Sequence, residues 1–266
     1  MNSSRRRAGR LARALALAAV AQLFLATGCT RVEDSLQEPR YVLMVGIDVS
    51  GSFRNSPEFD DAITFLAHYL YGHLNALGEL QRPTALFVGT VGGDSPGETK
   101  AFHPIHDFQD KSVDQIAADL KRWFPAEDRL TDFNAFFRRL SELAKRQGLV
   151  LAPMNIVLVS DGVPDLMATR TVQDTGEVDP YATIDLSPLE YLSRSITVRV
   201  LYPEPSVAAG WERRVERRRV RLWTTDAQVM DGWSSQLQPD APLEEQDRLW
   251  TWIADNVDFR VRARIF

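Results

Sequence analysis

The sequence predicts an α/β domain built on a largely parallel sheet. Three observations carry that expectation. Apolar runs at 41–47 (YVLMVGI) and 154–159 (MNIVLV) read as strands buried on both faces. Between them lie segments whose apolar residues recur at helical spacing. The two kinds of segment alternate along the chain, as in strand–helix–strand units, so sheets and helix bundles are not segregated.

The elements follow in order. After the first strand, Ser56-Pro57 is the pattern of a helix N-cap with proline at the first helical position. Asp60 and Asp61 fall in that first turn, where the helix dipole favours acids, and Phe59, Ile63, Leu66, Leu70 and Leu74 form the apolar stripe. Residues 84–91 read as a second strand, ended by Gly92-Gly93. Ser112 and Gln115 have capping-box spacing ahead of Val113, Ile116, Leu120 and Trp123, and Pro125 ends that helix. Asp132 is placed to cap the next, with its stripe of Phe133, Phe136, Phe137, Leu140 and Leu143. Residues 154–159, 196–201 and 220–223 are further strands, and 242–254 is a helix preceded by Asp240. Residues 257–265 alternate. Val257, Phe259, Val261, Ala263 and Ile265 lie on one face, and Asp258, Arg260, Arg262 and Arg264 on the other, the pattern of a half-buried edge strand. The stretch 164–192 is long for a connection and reads as an insertion.

Composition narrows the function. The 266 residues are 44% apolar and 25% charged, with a net charge of −5, which fits an ordinary globular chain. The acidic balance argues against a nucleic-acid partner. One cysteine, Cys29, excludes an internal disulfide framework and a cysteine-built zinc site. Ahead of it, Arg5, Arg6, Arg7, Arg10 and Arg13 precede an apolar run from Ala14 to Leu25 and the small residues Ala26, Thr27 and Gly28. That is the order of a secretory signal, and the run is short for a membrane span. With Cys29 directly after it, the segment resembles a bacterial lipoprotein signal, although leucine is commoner where Ala26 stands. The resemblance implies cleavage after residue 28, a lipid on Cys29 as the new N-terminus, a tether over 29–40 and a domain over 41–266. It also implies a site in the bacterial cell envelope, on the periplasmic or extracellular side of a membrane. Without residues 1–28 the chain has 26 basic and 36 acidic residues, a charge of −10.

In parallel sheets, ligands bind beyond the carboxyl ends of the strands. After the first strand comes Asp48-Val49-Ser50-Gly51-Ser52, and after 154–159 comes Ser160-Asp161-Gly162, with Thr131 between them in sequence. If the strands are neighbours, two carboxylates and three hydroxyls converge, an oxygen set suited to Mg²⁺, Ca²⁺ or Mn²⁺. Asp48-Val49-Ser50-Gly51-Ser52 resembles the D-x-S-x-S of von Willebrand factor type A domains, and residues 157–162 resemble the family's second aspartate segment. The resemblance covers about residues 41–225. It implies a doubly wound, Rossmann-like sheet flanked by helices and a metal-ion-dependent adhesion site. There Ser50, Ser52 and Thr131 contact the ion, Asp48 and Asp161 sit close by, and an acidic side chain of a partner protein takes an open coordination position. Arg129 and Leu130 stand where the family often has glycine before its threonine, so Asp128 or Asp132 is an alternative ligand to Thr131.

Other readings compete. A metal-dependent phosphohydrolase would use Asp48 as nucleophile, but Ser50 stands where such enzymes place a second aspartate. An envelope scaffold with a vestigial site is a third possibility. Gly93-Asp94-Ser95-Pro96-Gly97 has the spacing of a nucleophile elbow, yet no helical sequence follows its serine. His103-Pro104-Ile105-His106 is a poor metal pair, since proline spoils a helical face. Arg213, Arg214, Arg217, Arg218, Arg219 and Arg221 form a dense run that reads as a solvated helix end, with a patch for anionic lipid or an acidic partner as the functional alternative.

Overall fold

The computed structural model describes residues 41–95, 97–98, 100–125, 128–165 and 179–259. The chain runs through β1 (Val42–Ile47), a short helix α1 (Gly51–Arg54), α2 (Glu58–Leu74), β2 (Ala85–Thr90), β3 (His103–Pro104), α3 (Val113–Trp123), α4 (Phe133–Arg146) and β4 (Met154–Val159). It continues through α5 (Ser187–Glu190), β5 (Ile196–Leu201), α6 (Pro205–Arg214), β6 (Val220–Thr225), α7 (Ala227–Met230) and α8 (Asp247–Asn256). The strands form one six-stranded sheet in the order β3-β2-β1-β4-β5-β6. All neighbours are parallel except the short β3, which pairs antiparallel with β2. This is the expected α/β doubly wound fold, and the strand order reverses direction between β1 and β4, the place where such sheets bind ligands.

Both faces of the sheet are covered, which is why β1 and β4 are apolar at nearly every position. Leu43, Val45 and Ile47 of β1 pack with Phe65, Leu66 and Tyr69 of α2, Ile116 of α3 and Trp250 of α8. Val42 and Met44 face the other way, toward Phe136, Phe137 and Leu140 of α4 and Trp211 of α6. Each such side chain contributes roughly 1.5–3 kcal/mol by leaving water.

The capping expectations hold for α3 and α4. Ser112 Oγ accepts from Gln115 N at 3.3 Å and Gln115 Oε1 accepts from Ser112 N at 2.9 Å, while Asp132 Oδ1 accepts from Ala135 N at 2.8 Å. Ser56 does not cap α2, which starts at Glu58 after Pro57. The unexpected α1 turn delivers the chain there, through Ser56 N–H on Phe53 O at 3.1 Å. Asp61 does more than complement the dipole: its Oδ2 accepts from Tyr202 Oη at 2.9 Å and Trp233 Nε1 at 2.8 Å.

The helix expected over 242–254 is broken. A 3₁₀ turn at Leu243–Glu245 precedes α8, and Gln246 between them has non-helical backbone angles, φ −80° and ψ 53°. Gln246 is buried, and its side-chain amide bonds Gln238 N, Gln238 O and Ala241 O at 2.7–2.8 Å, so it closes the preceding loop. The alternation expected from Val257 also fails at its start, because both Val257 and Asp258 are buried. Residues 260–266, the rest of that expected strand, lie outside the described residues, as do the expected leader, Cys29, the tether and 166–178 of the expected insertion. Among the described residues no helix is long and apolar enough to cross a membrane.

Candidate functional site

The strands that end in Asp48 and Asp161 are neighbours, with Ile47 paired to Val159 in register. Asp48 N donates to Val159 O at 2.9 Å, and the two strand-end turns lie side by side. Asp48 is fully buried. Its Oδ1 accepts from Ser50 N at 2.9 Å and its Oδ2 from Ser160 Oγ at 2.6 Å. Burial pushes the Asp48 carboxyl up to about 6; the Ser160 hydroxyl and the Ser50 amide oppose the rise, and the nearby Asp161 carboxylate adds to it. The Asp48–Ser50 contact is an Asx turn, which lifts Ser50 over the strand end. Ser50 Oγ and Ser52 Oγ then lie 3.3 Å apart, the first buried and the second exposed.

Thr131 arrives by a different route. Asp128 N donates to Val49 O at 2.9 Å, forming a parallel bridge beside Ser50, and Gly93 and Leu130 exchange amide hydrogen bonds at 3.0–3.2 Å. The approach needs a glycine at 92, where a Cβ would lie 2.0 Å from Leu130 O. Arg139 of α4 fastens the same loop from behind, donating to Thr90 O, Val91 O and Glu98 O at 2.6–3.1 Å. The result is a cavity of about 430 Å³ lined by Ser50, Gly51, Ser52, Asp128, Arg129, Thr131, Val163, Pro164 and Asp165.

Thus Ser50, Ser52 and Thr131 share one cavity, with Asp48 buried behind Ser50. Asp161 does not line it; its Oδ1 accepts from Val163 N at 3.0 Å and shapes the adjacent turn. Gly162 continues that turn at φ +74°, where its N–H reaches Ser160 Oγ at 2.9 Å and its carbonyl accepts from Trp211 Nε1 at 2.7 Å. Of the alternative ligands, Asp132 is spent on structure: Oδ1 caps α4 and Oδ2 accepts from Gly97 N at 3.2 Å. Asp128 does line the cavity. Its Oδ1 pairs with Lys100, and its buried Oδ2 has no hydrogen-bond partner among the described residues.

Three residues escape sequence reasoning. Ser160, Lys100 and Arg139 act on partners 112, 28 and 41–49 positions away, and only the hydroxyl beside Asp161 offered any local hint. Ser95 of the elbow-like motif lies in a loop with no helix after it, and His103 stacks on Trp123 at 4.0 Å with Nδ1 3.0 Å from Asp107. Among the described residues no cluster of three or more His, Cys, Asp or Glu is placed to hold a metal ion. The oxygens that meet here are mainly hydroxyls.

No family model matches the chain, and no curated protein matches it. Among solved structures it is similar to the pilus adhesin SpaC of Lactobacillus rhamnosus GG in its open conformation. Identity is 19%, the TM-score is 0.32, and the match covers 48% of this chain and 15% of the adhesin.

Proposed function

We propose that the chain is a membrane-anchored, divalent-cation-dependent protein-binding module of the bacterial cell envelope, similar to von Willebrand factor type A domains. The observation that carries the reading is the convergence of Ser50, Ser52 and Thr131 on one cavity at the switch point of the sheet, beside a buried Asp128 oxygen that lacks a partner. Such a donor set fits a hard cation. It is all oxygen, and an unpaired buried carboxylate oxygen is costly until a cation or donor meets it.

Ser50, Ser52 and Thr131 would hold the ion through their hydroxyls, with Asp128 and, behind Ser50, Asp48 supplying negative charge. A cation held mainly by neutral hydroxyls keeps an exchangeable position for a partner's carboxylate, since Mg²⁺ commonly retains water ligands. Val163, 46% exposed on the cavity rim, and Arg129 would meet the rest of the partner. Cys29 would carry the lipid anchor on the periplasmic or extracellular side of the membrane.

The burial of Asp48 speaks against the phosphohydrolase reading. A nucleophile needs an accessible lone pair, and both Asp48 oxygens are engaged beneath the surface.

The test is thermal unfolding with Mg²⁺, Ca²⁺ or Mn²⁺ against EDTA. A ligand that binds only the folded state raises stability by about 2.7 kcal/mol at a hundred times its Kd. The expected result is a higher Tm with at least one cation, lost in Ser50→Ala/Ser52→Ala while its Tm in EDTA stays near that of the unaltered chain. Identical melting in every cation and in EDTA would overturn the metal reading. Mg²⁺-dependent hydrolysis of p-nitrophenyl phosphate, lost in Asp48→Asn, would favour the enzyme instead.

A further inference from the structure

We propose that the sheet edge opposite the cation cavity is a docking surface for an anionic lipid bilayer. The inference deepens the membrane-anchored reading and rests on it for the source of the bilayer. Strands β1, β2, β4, β5 and β6 are mutually parallel, so their amino ends share one edge and Asp48 and Asp161 lie at the other. The loops entering β4, β5 and β6 therefore lie together, far from the cavity.

Those loops are unusual in two ways. Five large apolar residues are exposed among the described ones, and three of them, Val150 (42%), Leu151 (78%) and Tyr191 (76%), sit here. The first two loops are joined by Leu151 N–H on Leu192 O at 2.7 Å, which brings the three residues onto neighbouring loops. Leu151 also has φ +76°, a left-handed conformation that glycine adopts freely and a leucine only with strain. A strained, solvent-facing leucine has no packing role to justify it, and such strain collects at functional positions.

Beside the patch the charge is basic. Arg194 precedes β5, and Arg217, Arg218 and Arg219 fill the loop into β6; all four are exposed. Glu216 is the exposed acid of that loop, while Glu190 is buried and accepts from the Arg218 amide at 2.7 Å. A cleft of about 920 Å³ between this loop and residues 182–191 is lined by Arg213, Arg214, Arg217 and Arg218 against the acids Asp185, Glu190 and Glu216, and lipid phosphates would meet the arginines there. Apolar tips with arginines on the neighbouring loops suit the interfacial zone of an anionic membrane. The chain without residues 1–28 carries −10, and at this edge the exposed arginines offset that charge toward an anionic surface.

Chain geometry agrees. The chain enters β1 at this same edge, and the eleven residues 30–40 reach about 40 Å at most when fully extended. A lipid on Cys29 keeps the edge within reach of the bilayer, and docking turns the cation cavity toward partners away from it.

The experiment uses residues 29–266 with Cys29→Ser, so that neither an acyl chain nor the basic, apolar leader contributes. With Tyr191→Cys added, the single thiol carries an environment-sensitive fluorophore. The expected result is a blue shift with phosphatidylcholine vesicles containing phosphatidylglycerol and none with phosphatidylcholine alone. Replacing Arg217, Arg218 and Arg219 with serine weakens partitioning on the order of a hundredfold. Leu151→Gly weakens it too, without lowering Tm, because glycine relieves the strain. No shift with either vesicle, or partitioning indifferent to both sets of substitutions, overturns the proposal. An equal shift with soluble polyglutamate overturns it in favour of an acidic protein. Metabolic labelling of Cys29 with palmitate reports the anchor separately, so loss of one result leaves the other standing.

Discussion

Ser160 is the residue on which the buried carboxylate depends. Its hydroxyl donates to Asp48 Oδ2 and accepts from Gly162 N, and it has no exposure to water that could replace either bond. Ser160→Ala leaves a buried acceptor and a buried donor without partners, which costs about 2 kcal/mol or more. We expect a lower urea midpoint and a smaller rise in Tm on adding Mg²⁺. His68 gives a pH signal of its own. Its Nδ1 donates to Thr64 O at 2.9 Å, and burial against Trp233 holds its pKa below the ordinary 6.5, although the Thr64 bond and Asp114 oppose the shift. The folded state therefore binds this proton less readily than the unfolded chain. Its contribution is complete above about pH 6.5 and falls as the pH drops from there toward the folded pKa. The denaturation midpoint of the unaltered chain is expected to fall more steeply between about pH 7.5 and 5.5 than that of His68→Gln; equal slopes would remove His68 from the account. At this scale, Asp48, Ser50, Ser52 and Asp161 stood out because they lie directly beyond apolar strands, and Thr131 because it stands just ahead of a helix; the structure brings Ser50, Ser52 and Thr131 to one cavity and leaves Asp161 in the adjacent turn. Ser160 and Lys100 were not, because their pairing is decided by chain neighbours far away in sequence.

The chain leaving β2 shows what a single element must do to complete a site. It is pinned by Gly92, which admits the Leu130 carbonyl, and by the Arg139 guanidinium on three backbone oxygens. Gly92→Ala forces a Cβ against a carbonyl that cannot give way, at a cost of about 2 kcal/mol or more. Because the clash is with the segment leading to Thr131, the cation-dependent Tm rise should shrink as well. Arg139→Lys keeps the charge but loses the planar fork, so it should restore less than half of the stability that Arg139→Ala removes; urea melts of the two variants read the difference. Strands and capped helices were readable from periodicity and from residues such as Ser112 and Asp132, since both signals are local. The break at Gln246 was not: a good helix former left the helix because its amide had three backbone groups to satisfy across the loop. Likewise the glycines at 92 and 93 read only as a strand terminator, though 92 is fixed by a contact with residue 130.

For the whole molecule, alternation of strands and helices indicated a parallel sheet, and the strand order followed only in the structure. One long-range tie fixes how the chain closes. Asp258, expected on a solvent face, is buried at the amino end of β4 and β5, where its Oδ1 accepts from Asn155 Nδ2 at 2.6 Å and lies 3.7 Å from Arg199 Nε. Arg199 also reaches Asn155 Oδ1 at 3.0 Å and Phe259 O at 2.7 Å, and its buried Nη1 has no hydrogen-bond partner among the described residues. The alternation rule failed because it weighs polarity alone: an acid beside an arginine of a central strand is cheaper buried than that arginine would be by itself. Asp258→Ala strips the guanidinium of its counter-charge and should cost about 3–5 kcal/mol. Arg199→Leu in the same chain removes the cation that made the loss expensive and supplies apolar volume, so the double variant should recover most of the stability. Chemical denaturation of the two single variants and the double one forms a cycle. Strongly non-additive costs place the end of α8 and the sheet in one cooperative unit, whereas additive costs would mean that the pair does not couple them.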